Sequence, residues 1–194
     1  KIKINSLGKS NKKILNNIKD YYGGSANTFL IYFFVRLLRP NSVVETGVAA
    51  GFSSQSILEA LKKNKKGKLY SSDLRYYRVK VNYKPGFIVN KNLKKNWNLY
   101  THGDLKNIIQ IKEKIKKIDL LHYDSEKYYF SKKIFFNSVK NILNENTVII
   151  FDDIQDDLFF YDFIKKHSDK KFFIFKYKNK LVGTIFPKNF NSMK

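Results

Sequence analysis

The chain has 194 residues, no cysteine and a formal net charge of +22 at pH 7. This length predicts a single domain over residues 1–194, and the lack of cysteine excludes disulfides, thiolate metal sites and a cysteine nucleophile. The charge favours nucleic acid as a partner. However, most basic residues are lysines dispersed among acids, whereas base-reading proteins more often use arginine. We therefore expect a solvated basic surface rather than a nucleic-acid interface.

Residues 1–38 are predicted to form a helical lead-in. The apolar run at residues 29–35 stops at Arg36 and is too short to span a bilayer, so we expect a helix buried against the domain. The chain opens on Lys1 and shows neither an apolar signal region nor a cleavage site. These features predict a trimmed start, no export signal and a cytoplasmic location.

A glycine-rich turn follows the first predicted strand, at residues 42–44. Residues 45–54 have the sequence E-T-G-V-A-A-G-F-S-S, and a helix with apolar residues at helical spacing is predicted at 55–63. Gly47 and Gly51 fall in the turn and at the helix start, where glycine lets a ligand approach the backbone. The N–H groups at a helix N-terminus favour a carboxylate or phosphate. The turn alone is weak support for a site, because tight strand-to-helix turns also need glycine for steric reasons.

A second strand is predicted at residues 68–72 and ends in Asp73. A carboxylate at this position can accept hydrogen bonds from the two hydroxyls of a ribose. The next stretch, 74–95, is predicted to be irregular, and we interpret it as a substrate loop or lid. It contains aromatic residues that suit stacking on a sugar or aromatic ring, Tyr76, Tyr77, Tyr83 and Phe87.

The rest of the chain alternates predicted strands and helices. Strands are expected at 98–102, 118–123 and 147–151, helices at 105–117, 129–143 and 158–167, and a closing hairpin at 171–177 and 181–186. This alternation predicts an α/β fold whose sheet is mostly parallel and covered by helices on both faces. With the two earlier strands, the sheet has seven strands and ends in an antiparallel pair.

Three acids follow the fourth and fifth predicted strands: Asp124, Asp152 and Asp153. If these strands are neighbours, the carboxylates converge and repel unless a positive charge lies between them. Such oxygen ligands suit Mg²⁺, Mn²⁺ or Ca²⁺, and we interpret the acids as a metal site. The alternative is that Asp124 only polarises the ligand pocket while Asp152 and Asp153 cap the next helix.

The acidic-x-Gly-x-x-x-Gly turn and the acid ending the second strand resemble the class I S-adenosylmethionine-dependent methyltransferases. The resemblance implies a Rossmann-like methyltransferase fold. It also implies that S-adenosylmethionine is the cofactor, and it assigns Glu45, Gly47, Gly51, Ser53, Asp73, Asp104 and Asp124 to the cofactor site. Ser53 would meet the methionine carboxylate and Asp73 the ribose. Asp104 would accept a hydrogen bond from the adenine amine, cap the helix beginning at residue 105, or do both.

Residues 118–124 and 148–153 further resemble the metal-dependent small-molecule O-methyltransferases of the catechol and macrocin types. The resemblance covers residues 42–154 and implies that Asp124, Asp152 and Asp153 hold a divalent cation, which we expect to be Mg²⁺. It also implies that this cation binds two adjacent substrate oxygens and lowers the pKa of a hydroxyl. Lys127 occupies the place of the catechol-type base. The macrocin type usually has Gly-Asp after the first acid, where this chain has Ser125-Glu126, so the base is either Glu126 or Lys127.

The predicted function is therefore methylation of a hydroxyl on a small molecule such as a sugar. One alternative is an RNA or DNA methyltransferase, which the charge favours, although the chain has no Asn-Pro-Pro-Tyr or Asp-Pro-Pro-Tyr motif. Another is a non-catalytic cofactor-binding protein, which has no use for three facing carboxylates. The sequence leaves the oligomeric state open and is compatible with a homodimer.

Overall fold

A computed structural model describes residues 27–74, 84–177 and 179–190. Residues 1–26 of the predicted lead-in, and Tyr76, Tyr77 and Tyr83 of the predicted loop, lie outside these ranges. The strands β1 to β7, in chain order, are Ser42–Thr46, Lys68–Ser72, Trp97–Tyr100, Leu120–Tyr123, Val148–Phe151, Lys171–Tyr177 and Lys180–Phe186. The α-helices α1 to α5 are Thr28–Leu38, Phe52–Asn64, Asp104–Lys114, Tyr129–Val139 and Phe159–Lys166, and a short 3₁₀ helix spans Lys91–Asn96.

The strands form one seven-stranded sheet in the order β3-β2-β1-β4-β5-β7-β6. Strands β1 to β5 are parallel to one another, whereas β7 runs antiparallel to both β5 and β6. Thr46 at the end of β1 pairs with Ser72 of β2 and Tyr123 of β4. The residues that follow these three strands therefore meet at one edge of the sheet. The predicted fold class is confirmed.

Helices cover both faces of the sheet because side chains of a strand alternate between its faces. On β1, Val43 packs with residues of α1 and α2, whereas Val44 packs with residues of α3, α4 and α5. Both valines are fully buried, and burial of such a side chain contributes about 1.5–3 kcal/mol. None of the helices within the described ranges is long and apolar enough to cross a membrane.

The apolar run near the N-terminus forms α1, as predicted. The side chain of Asn27 caps its start by accepting a hydrogen bond from Leu30 N (3.3 Å). Arg39 ends it in a left-handed conformation, and its N–H donates to Val35 O. The following residue, Pro40, cannot continue a helix. The helix buries one side against α2 and the sheet and leaves Phe29 64% exposed.

Two predicted helices end three or more residues earlier than their patterns suggested. α3 ends at Lys114 rather than at residue 117, because Ile115 is extended and Ile118 N donates a hydrogen bond to Ile142 O (2.8 Å). α4 ends at Val139 rather than at residue 143. In both places an apolar residue beyond the helix end is buried by a turn of the chain, so the apolar spacing continued although the helix did not.

The described part of the predicted loop, from residue 84, packs below the glycine turn. Gly86 N donates a hydrogen bond to Ala49 O (2.8 Å), and Ile88 N donates one to Ala50 O (3.2 Å). A Cβ on Gly86 would lie 2.1 Å from the ring of Trp97, so only glycine fits there. The prediction of irregular structure up to residue 95 is wrong at its end, where the 3₁₀ helix begins at Lys91.

Candidate active site

The turn between β1 and α2 requires glycine at two positions. Gly47 has a φ of 77° and Gly51 a φ of 104°, both in the region that residues with a Cβ disfavour. A Cβ on Gly47 would lie 1.8 Å from the backbone oxygen of Asp124, and one on Gly51 would lie 2.8 Å from Gly86 Cα. The turn is therefore in direct backbone contact with the end of β4.

Asp73, directly after β2, holds this turn in place. Its Oδ2 atom accepts hydrogen bonds from the N–H groups of Val48 (2.9 Å) and Ala49 (2.8 Å), and its Oδ1 atom accepts one from Leu74 (2.6 Å). Burial raises the pKa of Asp73 to about 6, although these hydrogen bonds oppose the shift. The carboxylate that was predicted to bind ribose is thus fixed by the backbone of the glycine turn.

Glu45 is fully buried between the strands. Its Oε2 atom accepts hydrogen bonds from Ser54 Oγ (2.6 Å) and Ser71 Oγ (2.7 Å), and Trp97 Nε1 donates to the same Ser71 Oγ (2.8 Å). The other oxygen, Oε1, lies 3.8 Å from Nδ1 of the buried His122, too far for a hydrogen bond. Glu45 therefore ties β1 to α2 and β2. Its contact with the cofactor stays a prediction.

Gly51 is the N-cap of α2, and Ser53 lies in the first turn of that helix. Ser53 is buried, with 4% of its surface exposed. N–H groups in the first turn of a helix have no acceptor within the helix, and they favour an anion. Contact between Ser53 and the methionine carboxylate stays a prediction.

A cavity of about 450 Å³ opens where β1, β2 and β4 end. Five predicted site residues line it: Gly47, Asp73, Asp104, Asp124 and Glu126. Apolar side chains, including Leu74, Leu105 and Phe135, form much of the remaining wall. The size and mixed lining are typical of a site for a small molecule. The other predicted residues are described but do not line this cavity: Glu45, Gly51, Ser53, Lys127, Asp152 and Asp153.

Asp104 does not cap α3, so that part of the prediction is wrong. The N-cap is Gly103, and Asp104 is the first residue of the helix. Its Oδ1 atom accepts a hydrogen bond from Ser72 Oγ (2.5 Å), which holds the carboxylate at the cavity wall. Its predicted contact with adenine stays a prediction.

Asn107 is a residue of the site region that the sequence reasoning missed. It is fully buried on α3, and its side-chain nitrogen donates to Ser72 Oγ (2.8 Å), Asp73 O (3.0 Å) and Tyr100 O (3.1 Å). Its Oδ1 atom accepts from His102 N (2.9 Å). Asn107 therefore joins the ends of β2 and β3 beneath the cavity. The feature of the sequence that could have indicated Asn107 is a polar residue next to Ile108 on the apolar side of a predicted helix.

The three predicted acids converge, with one oxygen of each within 4.8 Å of the others. Asp152 is buried, and its Oδ2 atom makes no hydrogen bond within the described part of the chain. Asp153 has a φ of 52°, a conformation that costs free energy and is often found at functional sites. The alternative that Asp152 and Asp153 cap the next helix is wrong, because Phe159 N at its start bonds instead to Asp157 Oδ1 (2.8 Å).

Two lysines offset much of the negative charge of these acids. Lys127 Nζ lies 2.8 Å from both Asp124 Oδ1 and Asp153 Oδ2. Lys180 Nζ lies 2.9 Å from Asp153 Oδ1 and 3.5 Å from Asp152 Oδ2. Burial favours the neutral form of each lysine, but the neighbouring carboxylates outweigh it and raise the pKa of both. Lys180 was not predicted, because it starts β7, far along the chain from the acids.

The pKa values of Asp124 and Asp153 are shifted in opposite directions. Burial and the neighbouring Asp152 raise the pKa of Asp124 to about 6, although Lys127 opposes the shift. Burial also disfavours the charged form of Asp153, but hydrogen bonds from Lys127 and Lys180 outweigh it and lower the pKa of Asp153. The two lysines therefore favour the charged form of Asp153.

The donor set fits a divalent cation. Three carboxylates at two strand ends supply the hard oxygen atoms that Mg²⁺ and Mn²⁺ prefer, and the buried Oδ2 atom of Asp152 lacks a hydrogen-bond donor in the described ranges. The ammonium groups of Lys127 and Lys180 contact oxygens of the same carboxylates, so they would have to yield part of this space to a cation.

The sheet order, the glycine turn after β1 and the fixed acid after β2 define a class I S-adenosylmethionine-dependent methyltransferase. The chain belongs to the methyltransferase domain family, whose sequence profile matches residues 44–154, more than half of the chain. A comparison with curated proteins found no match.

Solved structures share this fold at low sequence identity. The O-methyltransferase of Bacillus cereus in complex with SAH gives a TM-score of 0.71 at 14% identity, over 90% of this chain and 89% of that one. TomG of Streptomyces achromogenes, an O-methyltransferase involved in tomaymycin synthesis and solved with SAM, gives 0.71 at 13% identity, over 91% and 88%. A methyltransferase of Geobacter sulfurreducens gives 0.67 at 16% identity, over 91% and 85%. The predicted Rossmann-like methyltransferase fold is thus confirmed.

Proposed function

We propose that this methyltransferase transfers the methyl group of S-adenosylmethionine to a hydroxyl oxygen of a small molecule with two adjacent oxygens, such as a catechol or a sugar diol, with the help of a divalent cation. The observation that carries the proposal is the position of Asp124. It lines the cavity together with Gly47 and Asp73, and it also belongs to the acid cluster with Asp152 and Asp153. A cofactor site and a cation site would therefore share this residue.

The cofactor residues act by position rather than by chemistry. S-adenosylmethionine, when bound, supplies an electrophilic methyl group. Asp73 presents a carboxylate that the glycine turn already orients, so little conformational freedom remains to be lost on binding. The apolar wall formed by Leu105 and Phe135 excludes water and gives adenine a surface for contact.

Asp124, Asp152 and Asp153 would hold the divalent cation. When bound there, the cation would supply positive charge that lowers the pKa of a substrate hydroxyl and orients its neighbouring oxygen. The acids are carried by strand ends whose register is fixed by β4 and β5 pairing. Positions on rigid strands suit this role, because methyl transfer needs the reacting atoms to be closely aligned.

Glu126 and Lys127 are the two candidates for the acceptor of the hydroxyl proton, and they differ in the protonation state from which each must start. Glu126 lines the cavity next to Asp124 and can accept a proton as a carboxylate. Lys127 contacts Asp124 and Asp153 directly, but it must first lose the proton that these carboxylates stabilise. The variants Glu126→Gln and Lys127→Met separate the two, because only loss of the true acceptor removes the ascending limb of the pH–rate profile.

The test has two parts on the same purified protein. Calorimetric titration with S-adenosylmethionine, with and without Mg²⁺, should show binding in the unchanged protein and a loss in Asp73→Ala. Formation of S-adenosylhomocysteine is then followed with catechol or a sugar diol as the acceptor, before and after chelation of the cation. We expect chelation and Asp152→Asn each to lower turnover by about 100-fold or more. Unchanged turnover under both conditions would contradict the role of the cation, while leaving the methyltransferase itself intact.

A further inference from the structure

Lys180 contacts the acid cluster from outside the strands that carry the acids. Its ammonium group lies within 3.5 Å of both Asp152 and Asp153, and its side chain is 42% exposed. A lysine with an exposed stem can swing its charged end into solvent without disturbing the core. Lys127 contacts the cluster too, but it lies only three residues after Asp124 on the same loop.

The backbone next to Lys180 is clamped to the acid loop. Ile154 N donates a hydrogen bond to Leu181 O (3.1 Å), and Leu181 N donates one to Gln155 Oε1 (2.9 Å). Leu181 directly follows Lys180, and Ile154 and Gln155 directly follow Asp153. The Lys180 backbone is therefore held beside the cluster, while its side chain remains free to leave.

The cluster retains unsatisfied negative charge with Lys180 in place. Three carboxylates face two ammonium groups, and the buried Oδ2 atom of Asp152 lies 3.5 Å from Lys180 Nζ without a hydrogen bond. A divalent cation would be attracted by the carboxylates and repelled by the ammonium group that touches two of them. At separations of a few ångströms this repulsion is large even with substantial screening.

We propose that Lys180 is a built-in counter-cation of the Asp124, Asp152 and Asp153 cluster, which competes with the divalent cation and must swing away for it to bind. The inference rests on the proposed function, because it requires that a divalent cation binds these acids. Lys180 then weakens cation binding and stabilises the acids while no cation is present. A residue of the hairpin formed by β6 and β7 would thereby act on a site at the ends of β4 and β5.

The experiment measures Mn²⁺ binding directly, by titration calorimetry on the full chain at low salt. Four proteins are compared: the unchanged protein, Lys180→Met, Lys180→Arg and Lys176→Met. Lys176 is an exposed lysine on the same hairpin that makes no ion pair with the acids in the described ranges. Its removal therefore changes the net charge equally without removing a contact to the cluster. Titration with S-adenosylmethionine in parallel confirms that each variant is folded.

We expect Lys180→Met to lower the dissociation constant for Mn²⁺ by about tenfold or more, and the Lys180→Arg and Lys176→Met variants to stay within about twofold of the unchanged protein. The melting temperature of Lys180→Met should also gain more from Mn²⁺, because its acids repel one another when no cation is bound.

Equal or weaker Mn²⁺ binding by Lys180→Met would overturn the competition while leaving the proposed cation site in place. An equal gain in Lys176→Met would also overturn it, because the effect would then be one of net charge. If no variant binds Mn²⁺ although all bind S-adenosylmethionine, the proposed cation site itself fails and this inference fails with it.

Discussion

Asp73 and Asp153 are both carboxylates at the carboxyl ends of parallel strands. Asp73 lies on the side of the cavity where we propose that the cofactor binds (the cofactor side), and Asp153 lies in the acid cluster. Asp73 is held by three backbone N–H groups, whereas Asp153 is held by the ammonium groups of Lys127 and Lys180. Backbone donors cannot move without unfolding the turn, but lysine side chains exchange partners readily. The carboxylate on the proposed cofactor side is therefore fixed by the backbone, whereas the acid cluster is held by side chains that can move.

Asp73 and Asp153 also differ in the direction in which their pKa values are shifted. Burial dominates at Asp73 and raises its pKa, because neutral donors compensate only in part. Cations dominate at Asp153 and lower its pKa. Protonation should thus affect the cofactor side at mildly acidic pH, before it affects Asp153.

The largest effect is expected when a side chain is added at Gly47, whose backbone contacts the backbone of Asp124. Gly47→Ala should lower the free energy of unfolding by more than about 3 kcal/mol and abolish cofactor binding, because a left-handed φ and a backbone collision add up. Gly103→Ala is the matched control: its φ is 88°, but its Cβ would meet only Leu74 Cδ1 at 3.6 Å. Chemical denaturation should show a smaller loss for that control, about 1–3 kcal/mol, because its φ of 88° and ψ of 152° lie in a region almost restricted to glycine but no backbone collision is added. Equal losses in both variants would contradict the rigid contact with Asp124.

Removal of the charge on Asp73 is expected to be the next largest effect. Asp73→Asn should weaken S-adenosylmethionine binding by about 100-fold, because hydrogen bonds to a charged acceptor are worth about 1.5–3 kcal/mol. Asp119→Asn is a suitable control, since Asp119 also accepts backbone N–H groups, from Asn41 and Ser42, away from the cavity. Calorimetry should show unchanged affinity for the control, and Mn²⁺ binding should survive in both variants. Joint loss of cofactor and Mn²⁺ binding would show that the two sides are not independent.

Asn107 supports the cofactor side from below. Asn107→Ala leaves the Tyr100 and Asp73 carbonyl groups without this donor and should cost about 2 kcal/mol of stability. Urea unfolding measures the loss. A change below about 0.5 kcal/mol would mean that water replaces the amide and that the support is not needed.

The smallest effect is expected from a change of one pH unit. The pKa of Asp73 is raised from 3.8 to about 6. Below that value the free protein must release a proton before the carboxylate can accept the hydrogen bonds that we propose it receives from ribose. Affinity for S-adenosylmethionine should fall about tenfold per pH unit below this point. The contribution of Asp73 to stability runs in the opposite direction. Between the two pKa values the folded protein holds a proton that the unfolded chain has released, so stability decreases as pH rises through that window. An affinity that is flat across the window would contradict the assignment of Asp73.

The fold could be predicted from the sequence because the patterns that indicate it are local. Alternating apolar segments, the glycine turn and the acids at strand ends are each encoded within a few neighbouring residues. The parallel order then brings the three acids together without any further information. Helix ends were less predictable, because Ile115 continues the apolar spacing of α3 although it lies beyond the helix end and is only partly buried.

The contacts of the site could not be predicted in the same way, since they join distant residues. Lys180 reaches Asp153 through the pairing of β5 with β7, and one lysine among many carries no local mark of this contact. Glu45 shows a different limit. Its position in the motif was recognised, but not that its carboxylate bonds to Ser54 and Ser71 within the sheet.

Trp97 offers an optical consequence of this arrangement. It is the single tryptophan of the chain, its ring covers Gly86 beneath the glycine turn, and its Nε1 atom donates to Ser71. Its fluorescence therefore originates on the cofactor side, and the acid cluster contributes no indole emission. Titration with S-adenosylmethionine should change this emission, whereas Mn²⁺ should leave it nearly constant, so the two binding events can be followed separately in one cuvette without a label.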